Sequence, residues 1–401
     1  MTFDIGAFRS HFPSLESGIA YFDGPGGTQT PRSVAAAVAD TLCGPLSNRG
    51  GAMVDSERRA DQTVKAFRQA LGDLLRADPR GIVYGRSATQ LTYDFSRHLA
   101  KTWVAGDEIV LSSLDHDANI RPWVQAAAKA AVNVRWWEFD VPTTDLSVAD
   151  LVPLLGPRTR LVAVTAASNL LGTMPPISDI ADAVHQVGAL LFVDGVHYAA
   201  HASVDLPRLG ADFFVCSPYK FLGPHCAALA ADPDLLETLQ PDKLLPSTDQ
   251  VPERFEFGTL PYELMAGVTA AVDFIAAVGP ADLDRRARLV AASAQFEEYE
   301  TAVRDTVEVQ LRAWDRVTVH TNAARRTPTL FFTVDGIPSW EVYLELAEQN
   351  VLLPAGSFYA LEPFRRLALA DPHGLRVGIA PYNDDQDVDR LLDGLGRIVT
   401  S

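Results

Sequence analysis

Two residues stand where apolar runs give out, and their types point to covalent chemistry. The stretch FFVCSPYKFLGPH (Phe213–His225) leads from a buried-type run into Ser217, Tyr219 and Lys220 before a Gly-Pro turn, and LLFVDGVH ends its own run on Asp194, with His197 close behind. A lysine amine is compact and strongly hydrated, so it is a poor structural choice at the end of a buried strand. Withdrawn from bulk water, the amine has a lowered pKa and forms an imine with a carbonyl compound. A carboxylate set beside apolar residues needs a cationic or N–H partner. Alone, Asp194 reads as a turn or cap residue; together with Lys220 it reads as the partner of a cation.

A ligand with an aldehyde, a protonated ring nitrogen and a phosphate answers both residues. That description fits pyridoxal 5′-phosphate, whose handles in proteins are a lysine imine and an acid at the pyridinium nitrogen. The elements needed to position it are present. Between residues 70 and 230, helical stretches such as TVKAFRQALGDLLRA and ISDIADAVHQVGA separate the apolar runs GIVYG, EIVLSS, VRWWEFD, RLVAVTAAS, ALLFVDG and DFFVCS. Short buried runs alternating with helices predict an α/β fold with a mostly parallel sheet, which binds ligands at the carboxyl ends of its strands. Ser168, Asn169, Asp194, His197, Ser217 and Lys220 all fall there. A long helix is expected over 262–279. From 283 to 401 the texture becomes that of a smaller α+β unit, with a helix over 283–304, the strands RVTVH, TLFFTV and LRVGI, and a closing helix. The expected organisation is an N-terminal segment (1–18) whose amphipathic helix near 4–12 packs on the small domain, a large domain (19–282) and a small C-terminal domain (283–401).

Bulk properties narrow the classes. A net charge of −17 over 401 residues argues against nucleic acid and anionic membranes as partners. Cys43, Cys216 and Cys226 form no CxxC, the start MTFDIGAFRSHFP lacks the basic and apolar regions of a secretory signal, and no apolar stretch reaches a spanning length. A cytoplasmic protein is expected.

The chain resembles the class V aminotransferase family of fold-type I PLP enzymes, specifically its cysteine-desulfurase-like branch. The resemblance rests on six segments in the family's order: YFDGPGGTQTP, SATQLTYDFSRHLA, LDHDANIRPW, SNLLGT, DGVHYAAHASVDL and SPYKFLGPH. It implies a large PLP-binding domain with a seven-stranded type of sheet. Lys220 would hold the cofactor and move the α-proton, Asp194 would keep the ring nitrogen protonated, and His116 would stack on the ring. Asn169 and His197 would lie near the phenolic oxygen, the family usually having Gln at the second position. Ala88 and Thr89 at a helix start, with Ser217 and Tyr219, would hold the phosphate. Thr259 would reach the phosphate of a neighbouring subunit, which implies a homodimer with shared sites. Arg376 would clamp the α-carboxylate of an amino acid substrate. Plainer readings stand beside these: His116 as a loop histidine, Asn169 as a turn cap, and Arg376 as a strand-face ion pair. Thr89 and Ser217 are uninformative singly. His185 and His201 read as structural, and GPGG (24–27) as a flexible turn at the site entrance.

The pattern breaks at one place. Desulfurases of this branch carry a nucleophilic Cys in a segment like RxGHHCA, and the matching stretch here is PAGSFYALEP, with Tyr359 at the Cys position and Pro354 at the Arg. A thiolate takes sulfur from cysteine as a persulfide, and a phenol of pKa about 10 does not replace it. Tyr359 reads either as a packing aromatic that narrows the pocket or as a contact to a larger substrate. The expected reaction is C–S β-elimination on a cysteine S-conjugate in specialised metabolism. Transamination, oxidative decarboxylation–deamination, epimerisation and non-catalytic PLP binding are the alternatives, and classical desulfuration is disfavoured.

Overall fold

Runs that are apolar on both faces satisfy their backbone groups only by pairing with one another inside a covered sheet. The computed structural model describes residues 3–51 and 53–400, so residues 1, 2 and 401 of the terminal segments lie outside the described residues. After a two-residue strand β1 (Ala20–Tyr21), the strands are β2 (Ile82–Gly85), β3 (Glu108–Ser112), β4 (Asn133–Trp137), β5 (Thr159–Thr165), β6 (Leu190–Asp194), β7 (Phe213–Cys216) and β8 (Ala227–Ala231). Strands β2 to β8 form one seven-stranded sheet in the order β2-β8-β7-β6-β5-β3-β4. All its pairings are parallel except those of β8, which is antiparallel to both neighbours. The sequence reading had six of these strands and missed β8. Its run AALAA lacks the β-branched and aromatic residues that mark a strand, and only its flanking strands make it one.

Helices cover both faces. Asp55–Leu75 and Tyr262–Ala276 bury Val64, Phe67, Leu71, Met265, Val268 and Val272 on one side. Ala88–Ala100 and Arg121–Ala130 bury Phe95 and Trp123 against Phe192 and Phe213 on the other. The smaller unit follows the helix Arg285–Ala313, which runs nine residues past the expected end because no breaker interrupts it. Its strands are β9 (Val317–Val319), β10 (Thr329–Val334), β11 (Val351–Leu352), β12 (Ala355–Gly356) and β13 (Gly374–Gly378). An antiparallel sheet in the order β12-β13-β10-β9 packs beneath the helix Asp385–Thr400, and β11 pairs in parallel with β1.

The N-terminal helix is Ile5–Arg9, shorter than expected. Phe8 meets Phe296 of the long helix edge-on and lies tilted against Phe274 of Tyr262–Ala276, so this segment packs on both units. Arg9 adds ion pairs to Asp384 and Asp387. Ala20 and Phe22 are buried in the smaller unit's core, and the chain then crosses the site at Asp23–Gly27. Gly24 N donates to Gly378 O at 3.1 Å, and Gly378 N donates to Phe22 O at 2.8 Å. A Cβ at Gly378 would overlap the Pro25 ring, so this approach of backbones requires glycine.

A buried ion pair fixes the segment leading to Thr259. Arg68 donates to Glu253 at 2.7 Å and to Glu256 at 2.8 Å, and Glu256, its side chain 2% exposed, also accepts from Tyr84 N at 2.9 Å. Arg68→Ala should destabilise the protein by about 3–5 kcal/mol, because it strands the Glu256 charge. Urea unfolding of the two proteins checks this, and a difference within about 0.5 kcal/mol would contradict it.

Candidate active site

The carboxyl ends of the strands converge on one cavity of about 810 Å³. Asp194 closes β6, Lys220 sits in the turn after β7, Asn169 follows β5, and His116 follows β3. Ala88 and Thr89 open the helix after β2, while Phe358, Tyr359 and Arg376 reach in from the smaller unit. Eleven of the twelve residues singled out in the sequence therefore line a single space: Ala88, Thr89, His116, Asn169, Asp194, His197, Ser217, Tyr219, Lys220, Tyr359 and Arg376. Thr259 does not. It lies exposed, outside the cavity lining.

Burial tunes the groups that titrate. The Lys220 amine is lowered to about 7, first by burial and then by Arg376, with Asp23 and Asp194 opposing. Its Nζ donates to Pro25 O and lies 4.9 Å from the centre of the Tyr219 ring, which stacks on His225. Asp194 accepts from Val196 N at 2.9 Å and is pushed up to about 6 by burial. One backbone donor does not satisfy a buried carboxylate, so a further cationic partner fits there. His116 accepts from Ala118 N at 3.0 Å through Nδ1, and burial lowers it to about 4, so the ring is neutral with its proton on Nε2. The ring lines the cavity, partly exposed, on the loop after β3.

Unmatched polar atoms outline what the cavity takes. Asn169 donates through Nδ2 to Phe358 O at 2.9 Å, but its buried Oδ1 has no partner. His197 meets Thr327 and Thr329 through Nε2 at 2.9 and 3.0 Å, and its buried Nδ1 has none. At the helix Ala88–Ala100, Ser87 Oγ caps Gln90 N at 3.1 Å, whereas Ala88 and Thr89 open the helix with N–H groups that have no intrahelical acceptor. An anion is at home there. Tyr359 is 77% exposed, with its ring 5.6 Å from that of His116 and its carbonyl accepting from Asp117 N at 2.7 Å. It overhangs the mouth and is not packed into a core.

Sequence reasoning missed several participants. Asp23 accepts from Arg376 Nη2 at 2.6 Å, and Phe358 lies under the same guanidinium at 3.9 Å. Asp115, buried behind His116, is pushed up to about 8 by burial and bonds to Ser112 and Asn119. The only sequence signals were an acid ahead of GPGG and another beside His116. The GPGG turn is also nearer the chemistry than an entrance, since Pro25 O holds Lys220.

The family model described as aminotransferase class-V matches residues 20–391. An aminotransferase-like protein of Gibberella zeae is 31% identical, with 99% of each chain covered. A probable cysteine desulfurase of Pseudomonas aeruginosa is 29% identical over 97% of each chain. Among solved structures, the Escherichia coli cysteine desulfurase CsdA superimposes with a TM-score of 0.88 at 25% identity, covering 100% of this chain and 99% of that one.

Pyridoxal phosphate fits the donor set: an uncrowded anion seat at Ala88–Thr89, an under-matched carboxylate at Asp194 and an amine at Lys220 that is half neutral near pH 7. Borohydride treatment of the holoenzyme followed by peptide mass spectrometry should place the cofactor on Lys220, and a Lys220→Ala protein that still gives the reduced adduct would refute the assignment. Cofactor uptake by the apoprotein needs the neutral amine. Because the Lys220 pKa is lowered to about 7, its stopped-flow rate should fall as pH drops below 7 and level off above it. A rate still climbing at pH 9 would indicate an ordinary lysine. The chain is a PLP-dependent member of the class V aminotransferase family, with the fold-type I architecture of its cysteine desulfurases.

Proposed function

We propose that the protein catalyses C–S β-elimination on a cysteine S-conjugate in specialised metabolism, taking up one water and releasing a thiol, pyruvate and ammonia. The observation that carries this reading is Tyr359 on the loop where desulfurases of the branch hold their cysteine. Among the described residues lining the cavity there is no thiol. Cys43 is exposed on a distant helix, and Cys216 and Cys226 are buried, the first pushed up to about 12 by burial and the second also raised. Neither buried thiol is a ready thiolate.

Bound PLP supplies an electron sink for the bonds at Cα. Lys220 holds the cofactor and, with its amine free, takes the α-proton. Asp194 holds positive charge at the ring nitrogen, and neutral His116 offers a flat face without adding charge. Asn169 and His197, whose Oδ1 and Nδ1 have no protein partner, would serve the phenolic oxygen. The N–H groups of Ala88 and Thr89, with the Thr89 and Ser217 hydroxyls and Tyr219, hold the phosphate. Arg376 grips the α-carboxylate, and Tyr359 with Phe358 flanks the departing sulfur substituent at the mouth. Thr259 serves the neighbouring site of a homodimer, and its exposed position on a single chain supports this. No helix among the described residues is long and apolar enough to cross a membrane, and we place the enzyme in the cytoplasm.

A panel of S-alkyl and S-aryl cysteines with product identification by mass tests the reaction. Pyruvate and free thiol are expected. A sulfur-retaining keto acid, an aldehyde or a D-amino acid would instead select transamination, decarboxylation–deamination or epimerisation, and alanine from free cysteine would restore desulfuration. Arg376→Ala should raise KM by about 10–100-fold, the loss of one charged hydrogen-bonded contact, with cofactor absorbance retained. Equal loss of cofactor would mean that Arg376 is not a substrate clamp.

A further inference from the structure

The charge of Arg376 is already spoken for. Its Nη2 donates to Asp23 at 2.6 Å, its Nη1 donates to Asn169 O at 3.1 Å, and its buried Nε has no partner. Phe358 covers the guanidinium face at 3.9 Å. The other cavity cation besides Lys220 is Arg121, which pairs with Asp117 at 2.8 Å and with Glu362. A carboxylate entering this space therefore finds no unmatched guanidinium and must contend with Asp23 for one.

We propose that Asp23 is a positioning residue that gates the Arg376 clamp, an internal carboxylate that holds the substrate's place and yields only to a carboxylate delivered on an amine-anchored substrate. This rests on the reading of Arg376 as the α-carboxylate clamp. Asp23 acts at the effective concentration of a tethered group, so a free carboxylate competes poorly with it. A substrate fixed through its amine competes on equal terms, because its carboxylate is tethered too. The clamp thereby rejects carboxylic acids that lack the amine. The turn is built for such exchange. Asp23 is 31% exposed on its side chain, so it has solvent to move into. Gly26 leaves the space its carboxylate occupies, since a Cβ there would overlap it. The same turn holds Lys220 through Pro25 O. Amine and clamp thus share one resting cover.

The test is calorimetric titration of the holoenzyme with 3-phenylpropionate, a carboxylic acid without an amine. Wild type should bind it in the millimolar range or weaker. Asp23→Asn keeps an acceptor toward Nη2 but removes the charge, and should bind it about tenfold tighter or more. Its Tm should also rise more with 3-phenylpropionate than that of wild type. Gly26→Ala, which crowds Asp23 off the guanidinium, should gain affinity in the same direction, and adding Arg376→Ala to Asp23→Asn should abolish the gain. If either folded single variant binds no tighter than wild type, Asp23 is a structural counter-ion and the gate is refuted. If neither variant folds, the wild-type titration decides, and micromolar binding would overturn the proposal. Arg376→Ala in the Asp23→Asn background separates the two readings: a gain that persists without the guanidinium would remove the clamp itself, whereas no gain in Asp23→Asn would remove only the gate.

Discussion

A buried amine that must be neutral part of the time is the constraint around which this site is built. Lys220 is enclosed at the end of β7, and desolvation is the largest influence on it, with Arg376 adding to the pressure and Asp23 and Asp194 relieving it. Moving any of these charges would change the amine. The sheet accordingly brings Asp194 on the adjacent strand end, and the smaller unit brings Arg376 together with its counter-ion. The resulting balance is electrostatic and not steric.

Two units cooperate through a narrow strip of backbone. The chain leaves the smaller unit's core at Phe22, crosses the cavity at Asp23–Gly27, and is fastened to β13 through Gly378. Arg376 stands two residues from that fastening, so its guanidinium, the counter-ion Asp23 and the carbonyl on Lys220 are carried on one strip of backbone. The fastening comes from main-chain bonds and from the absence of a Cβ at Gly378, while Phe358, on the loop carrying Tyr359, covers the Arg376 guanidinium.

Most of the architecture and most of the cavity lining could be read from the residues. Apolar runs with helices between them announced the parallel sheet, and polar residues at their ends announced the cavity. What escaped was of two kinds. β8 escaped because five small residues carry no strand signal of their own and pair only through their neighbours. Asp23, Phe358 and Asp115 escaped because their roles arise from contacts across hundreds of residues or from burial, and neither is encoded in local spacing. Thr259 is the reverse case: legible by resemblance, yet outside the cavity of a single chain.

The tip at Phe358 and Tyr359 is secured by its carbonyls. Phe358 O accepts from Asn169 and Tyr359 O from Asp117, and both residues sit at φ 55°. Every amino acid carries those oxygens, so the anchoring bonds survive an exchange of side chains among residues that tolerate a left-handed backbone, which excludes the β-branched ones. New reactivities can accordingly be tried at this spot by exchanging side chains alone, while the anchorage that aims them stays as it was.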